Sequence, residues 1–194
     1  VVKGVNFINL RDAGDPVDQW GPKAGIYITK DAGATWTRAS RGLPTDELGR
    51  CAISASRSQP GTVYAQVSTQ KTRGAPGPPQ DKEGNPDPNL GGIFRSTDYG
   101  ASWQHMNTFN NRPSYYSQIR VDPNDADVIW TCGSPLGYSE DGGTTVKSGP
   151  VVQGRTHIDY HAIWIDPHNS DHVIVGGDGG INIVEFDDLA VTLI

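Results

Sequence analysis

Sulfur is scarce in this chain: two cysteines, Cys51 and Cys132, and a single methionine in 194 residues. That is too little for a disulfide-built scaffold, and the spacing of the two cysteines shows no zinc-ligand pattern. The two thiols fit either one disulfide or two ordinary buried side chains, and their position in apolar, strand-like runs favours the second. No apolar run approaches the length of a membrane span, and no basic-then-apolar segment opens the chain. The start at Val1, without a methionine, fits a removed leader or a piece of a longer chain. Basic excess is also missing, with 16 Lys and Arg against 22 Asp and Glu and a formal charge of -6. A binder of phosphate backbones needs clustered cations, so nucleic acid is not an expected partner. Stretches of Leu, Ala, Glu and Lys at helical period are absent too, and almost no helix is expected.

What is present is turn-forming residues. Gly 24 and Pro 14, with 35% hydrophobic residues, describe a chain that can bury a core but does so with many short strands. One strand is expected near Val2, Val5, Phe7 and Ile8, followed by a turn-rich loop. The most informative stretch is Gly91 to Trp103, where a β-type run, Ile93 to Ser96, enters a turn with Asp98 and Gly100 and leaves it at Ser102-Trp103. The same order recurs at Thr29 to Trp36 (Asp31, Gly33, Trp36) and at Ser139 to Val146 (Asp141, Gly143), and a worn fourth copy spans 186–193. Between these boxes an apolar hairpin is written three times, from Ile53 to Val63, Ile119 to Val128 and Ile163 to Val173. The box aspartates lie 67, 43 and 47 residues apart, and the long first interval contains a Pro- and Gly-rich insertion at 70–90. Without it, a repeat of roughly 40 to 50 residues with four short strands remains, the period of a β-propeller blade.

The box chemistry is structural. A carboxylate after the strand can accept backbone N–H bonds in its own turn, glycine supplies φ > 0, and tryptophan folds back into the apolar layer of its blade. The expected fold is therefore all-β: four-stranded antiparallel blades, three to four of them present, with Asp31, Asp98 and Asp141 as fasteners. The insertion at 70–90 reads as an exposed loop between two strands, with a lid over a site as its functional alternative.

The motif Ser/Thr-x-Asp-x-Gly-x-Thr/Ser-Trp resembles the Asp-box, or bacterial neuraminidase repeat, of sialidases, xyloglucanase-type glycoside hydrolases and sortilin-like propellers. Boxes one and two match it at every defined position; box three lacks the Trp, and box four lacks the leading hydroxyl, the Gly and the Trp. The stretches Ala24-Gly25-Ile26-Tyr27, Gly42-Leu43-Pro44, Arg112 to Ile119, His157 to Pro167 and Gly177-Asp178-Gly179-Gly180 are most similar to bacterial sortilin-like repeat proteins, often labelled glycosyl hydrolases. The resemblance implies a propeller fold and a secreted or periplasmic setting, with no single reaction shared by the group. Three to four blades do not close a ring, so the remaining blades of a larger propeller or other copies of the chain are expected partners.

Function is then sought in residues that do not repeat. His157, Asp159 and His161 fall on one side of a strand if the alternation holds, and two imidazoles and a carboxylate could hold zinc or calcium, with Asp178 as a fourth ligand. Ile163 and Ile165 continue that side, so buried polar residues between blades are the alternative. Arg112, Tyr115 and Tyr116 could grip and stack on a glycan or peptide, or else pack between blades ahead of an inner strand. His157 and His161 join them as candidate ligand-binding residues. A glycosidase needs two facing carboxyl groups, one with a raised pKa. Outside the boxes Asp159, Asp178, Glu140 and Asp46 remain, with Asp159 and Asp178 the catalytic candidates. A sialidase would need two further arginines beside Arg112. The turns at Asp122 to Asp125 and Asp166 to Asn169 could take calcium, or be ordinary hairpin turns. The function expected from these readings is a binding module, with part of a glycoside hydrolase as the alternative.

Overall fold

The computed structural model describes residues 2–5, 20–72, 74–148, 157 and 159–185; the proposed fourth box lies outside them. Among the described residues there is no helix. Fourteen strands among those residues form four antiparallel sheets in chain order. The first holds β1 (Val2–Val5), β2 (Gly25–Ile28) and β3 (Thr37–Arg38). The second holds β4 (Leu48–Ala55), β5 (Val63–Thr69), β6 (Gly92–Ser96) and β7 (Gln104–Asn107). The third holds β8 (Ile119–Val121), β9 (Ile129–Thr131), β10 (Gly137–Ser139) and β11 (Lys147–Ser148). The fourth holds β12 (Tyr160–Asp166), β13 (Asn169–Gly177) and β14 (Gly180–Glu185). Among the described residues, two four-stranded blades thus stand between two three-stranded sheets, each pairing strands in simple sequence order, as a partial β-propeller does.

The three similar hairpins are superposable in register: Ile53 faces Ala65, Ile119 faces Thr131 and Ile163 faces Val175. Apolar residues on both faces of these strands are what a blade sandwiched between neighbours requires. One cluster, with Ile26, Leu43, Val63, Ala65, Phe94 and Trp103, fills the space between the first and second sheets. A second, with Tyr64, Ile93, Ile119 and Ile129, joins the second and third, and a third, with Trp130, Tyr160, Ile163 and Val175, joins the third and fourth. Polar clamps supplement them: Tyr64 donates to the Ala126 carbonyl at 2.9 Å, and Arg95 pairs with Asp127 at 2.6 Å. Cys51 and Cys132 are free and buried in different clusters, and burial pushes each thiol up to about 12.

The three described boxes share one hydrogen-bond pattern. In box two the Ser96 hydroxyl donates to Asp98 Oδ1 at 2.8 Å and accepts from the Gly100 N–H at 2.8 Å. The same carboxylate accepts from the Ser102 N–H at 2.8 Å and from its hydroxyl at 2.6 Å. Thr29, Asp31, Gly33 and Thr35 repeat this, as do Ser139, Asp141, Gly143 and Thr145. Gly33, Gly100 and Gly143 hold φ of 99°, 85° and 86°, the left-handed conformation the turn demands. Bonds from Thr35 and Thr29 hold Asp31 down at about 2, and bonds from Ser102 and Ser96 do the same for Asp98. A depressed carboxyl stabilises the fold above its unfolded pKa of 3.8 and loses that contribution as pH falls toward about 2. The stability difference between the native chain and Asp98→Asn is therefore expected to be largest above pH 4 and to shrink as pH falls through about 2, measured by urea unfolding at successive pH values.

The expectation that both box tryptophans are buried holds only for Trp103, which is 6% exposed, whereas Trp36 is 41% exposed. Both fold back and donate Nε1–H to the box glycine carbonyl, at 3.0 Å for Trp36 and 2.9 Å for Trp103. Trp103 is then covered by Ala39 and Leu43 from the link out of the preceding blade, and its N–H donates to the Arg41 carbonyl at 2.9 Å. Box three, without a Trp, packs Val146 against the cluster of the second and third sheets.

In an antiparallel blade, the turns between first and second and between third and fourth strands share one end, and the remaining connections share the other. The boxes occupy the first end beside the hairpin turns: Tyr99 N–H donates to Gly61 O at 3.0 Å, and Gly142 N–H to Asp127 O at 2.9 Å. The insertion at 70–90, between β5 and β6, belongs to the opposite end and is folded on itself. Lys71 pairs with Asp87 at 3.1 Å, Asp81 caps a turn to Asn85, and Leu90 is buried. Thr108 N–H donates to Gly77 O at 3.0 Å, fastening the insertion to the segment that leads into Arg112.

Candidate functional site

Three segments meet at the end opposite the boxes: the 112–116 loop between β7 and β8, residues 157–161 entering β12, and the β13–β14 turn with Asp178. Arg112, at φ 44°, turns the loop, and its carbonyl accepts from the N–H groups of Tyr115 and Tyr116 at 2.9 and 3.1 Å. The Ser117 hydroxyl closes the turn on the Pro113 carbonyl at 2.6 Å. This geometry stacks the Arg112 guanidinium over both rings, 5.2 Å from the Tyr115 centroid and 5.8 Å from that of Tyr116. Arg50 on β4 braces the loop from below, its Nη1 donating to the carbonyls of Ser114 and Tyr115 at 3.1 and 3.2 Å.

The two tyrosines reach two different carboxylates. Tyr115 donates to Asp178 Oδ2 at 2.8 Å, and Tyr116 donates to Asp159 Oδ1 in a short hydrogen bond. Each carboxylate also meets an imidazole: His157 Nδ1 lies 3.3 Å from Asp159 Oδ2, and His161 Nε2 lies 3.1 Å from Asp178 Oδ1. The result is two Tyr–Asp–His chains, joined where the Tyr115 ring packs edge-on to Tyr116 at 5.0 Å and where His161 lies 5.4 Å from the Tyr116 ring. The Tyr116 hydroxyl holds the Asp159 carboxyl below its usual range, helped by His157 and Arg112. The bond to Asp178 raises Tyr115, and burial followed by the bond to Asp159 raises Tyr116. Both phenols therefore keep their protons and act as donors.

Two expectations change. His157 and Asp159 precede the strand rather than lying on it, because β12 begins at Tyr160. A bulge between Tyr160 and Ala162 then gives the strand an extra residue at His161. That extra residue takes His161 out of step with Ile163 and Ile165, which are buried between sheets. The group with one ligand atom each within 4.8 Å of one another is His157, Asp159 and Asp178; His161 is not in it and pairs with Asp178 instead. The tyrosines also divide between the two roles weighed for them. Tyr116 is buried between blades, while Tyr115 is 41% exposed and available to a ligand.

Glu140 is not at this cluster; it pairs with Lys147 at 2.8 Å in the third box. Asp46 is exposed in the link before β4. The Asp122 and Asp166 turns cap themselves, Asp122 Oδ1 accepting from Asn124 N–H at 2.7 Å and Asp166 Oδ1 from His168 N–H at 2.8 Å. Among the described residues two arginines, Arg50 and Arg112, lie at the cluster. Arg50 was not a sequence candidate, since a lone arginine in an apolar strand has no pattern to mark it. A separate cavity of about 300 Å³ lies between β4, β8 and β12, lined by Arg57, Arg120, Pro123 and Trp164 among others. Its lining comes from three successive blades and, among the described residues, includes no carboxylate of the acid pair a glycosidase needs.

No protein-family model matches the chain, and no curated protein matches it. Among solved structures it is similar to a GH74 enzyme from Niastella koreensis, with TM-score 0.60 and 15% identity over 88% of this chain and 26% of that one. It is similar to the GH74 xyloglucanase from Xanthomonas campestris, with TM-score 0.53 and 15% identity over 83% and 26%. An ancestral GH74 enzyme gives TM-score 0.51 and 14% identity over 82% and 20%. At such identities the likeness concerns the fold. The chain has the architecture of a β-propeller segment and spans about a quarter or less of the length of the structures it resembles.

Proposed function

We propose that this chain is part of an exported β-propeller, secreted or periplasmic, that binds a glycan or peptide at the end opposite its boxes. The ring is completed by further blades or by other copies of the chain. The observation that supports the reading is the convergence of the non-repeating residues Arg112, Tyr115, His161 and Asp178 into one exposed, hydrogen-bonded surface. An exposed phenol ring offers a stacking face for a sugar or a side chain, and the carboxylate and imidazole beside it offer directional hydrogen bonds. With xyloglucan oligosaccharides and a peptide array as probes of the full-length protein, binding is expected without hydrolysis. Tyr115→Ala should weaken that binding about tenfold or more, in the range typical of an aromatic anchor. Binding indifferent to Tyr115→Ala would remove the surface from consideration.

A second reading, a glycoside hydrolase, has one observation in its favour: an oxygen of Asp159 and one of Asp178 lie within 4.8 Å of each other. Against it, Asp159 is held below the usual carboxylate range, the opposite of a general acid's requirement. Turnover of aryl glycosides or xyloglucan that disappears in both Asp159→Asn and Asp178→Asn would decide for the hydrolase.

A further inference from the structure

Asp159 and Asp178 come from segments that are locked together through the backbone. The Asp178 N–H donates to the Asp159 carbonyl at 3.0 Å. A Cβ at Gly177 would lie 2.2 Å from that same carbonyl oxygen, and one at Gly179 would lie 2.4 Å from the His157 nitrogen. Two glycines thus let the β13–β14 turn sit directly on the 157–159 segment. The outcome is one imidazole and two carboxylates with a ligand atom each inside a 4.8 Å span, close enough for a single ion to touch all three.

We infer that His157, Asp159 and Asp178 form a binding site for one divalent transition-metal ion of the zinc class. The donor set selects the class: calcium and magnesium favour all-oxygen shells, whereas an imidazole with two carboxylates suits zinc. Each carboxylate has a further hydrogen-bonding partner, Asp159 the Tyr116 hydroxyl and Asp178 the Tyr115 hydroxyl and His161. Such outer partners fix ligand geometry and raise affinity. His157 is largely exposed, so the fourth coordination position faces solvent and is open to water or to a donor atom of a bound ligand. Two carboxylates at this separation also repel one another, and a dication between them removes that cost.

Equilibrium dialysis of the EDTA-stripped full-length protein against Zn²⁺ alone tests the site. About one equivalent is expected to bind, with affinity falling about tenfold or more in His157→Ala, and the same loss in Asp178→Asn. His157→Ala removes an exposed side chain, so retention of the native thermal transition is expected and makes the loss interpretable. His168→Ala, in the exposed turn at the box end, should bind zinc as the native chain does. Calcium binding as tight as zinc, zinc binding indifferent to His157→Ala, or loss on His168→Ala would each overturn the site. Because the measurement contains no glycan or peptide, zinc uptake without ligand binding keeps this inference and discards the proposed function, and the reverse result does the opposite.

Discussion

Trp103→Ala is expected to destabilise the chain by about 3 to 5 kcal/mol, the range for removing a buried tryptophan, while Trp36→Ala should cost about 1 to 2 kcal/mol. Both occupy the same box position and make the same bond to a glycine carbonyl, so a purely local role would make the two changes equal. The difference lies in what covers the ring. Trp103 is enclosed by Ala39 and Leu43 of the preceding link and by Val63 and Phe94 of neighbouring strands, and its removal leaves a cavity that the sheets can only partly close. Water already reaches the Trp36 ring, 41% exposed, so its loss opens no comparable void. Chemical denaturation with tryptophan fluorescence measures both. Equal losses would mean that the box, and not the contact between blades, is the unit of stability.

The contrast shows how the sequence can be read and where it stops. A motif reports the contacts inside its own repeat, which is why the three aligned hairpin segments share one pairing offset, at Ile53, Ile119 and Ile163. It does not report which neighbour covers a side chain, so Trp36 and Trp103 look alike in sequence. The site divides in the same way. Arg112 to Tyr116 and His157 to His161 stood out because they break the repeat, but they lie over forty residues apart, and nothing in their spacing says that Tyr116 reaches Asp159. Their meeting is a property of successive blades, whose inter-blade links all return to one end. The alternation that grouped His157, Asp159 and His161 failed for a different reason: a bulge adds a residue at His161, and period-two reasoning cannot see an insertion of one.

Gly179→Ala should weaken the metal site about tenfold or more while leaving the propeller segment folded. The added Cβ would sit 2.4 Å from the His157 nitrogen and 3.1 Å from its Cβ and its carbonyl oxygen. No side-chain rotation relieves such a contact, so the β13–β14 turn must move away by several tenths of an ångström. The turn is exposed, and overpacking there should cost at most about 1 to 3 kcal/mol. Metal geometry is less forgiving, since ligand distances tolerate about 0.2 Å and Asp178 is carried on the displaced turn. Zinc affinity is therefore expected to drop about tenfold or more with the cooperative unfolding transition retained. The bond from the Tyr115 hydroxyl to Asp178, 2.8 Å in the native chain, should lengthen as well. With it goes part of the restraint on the exposed ring, so glycan or peptide binding should weaken alongside zinc. A variant that binds zinc as tightly as the native chain would mean that the turn is not seated on residues 157–159, and the three ligands would have no common frame.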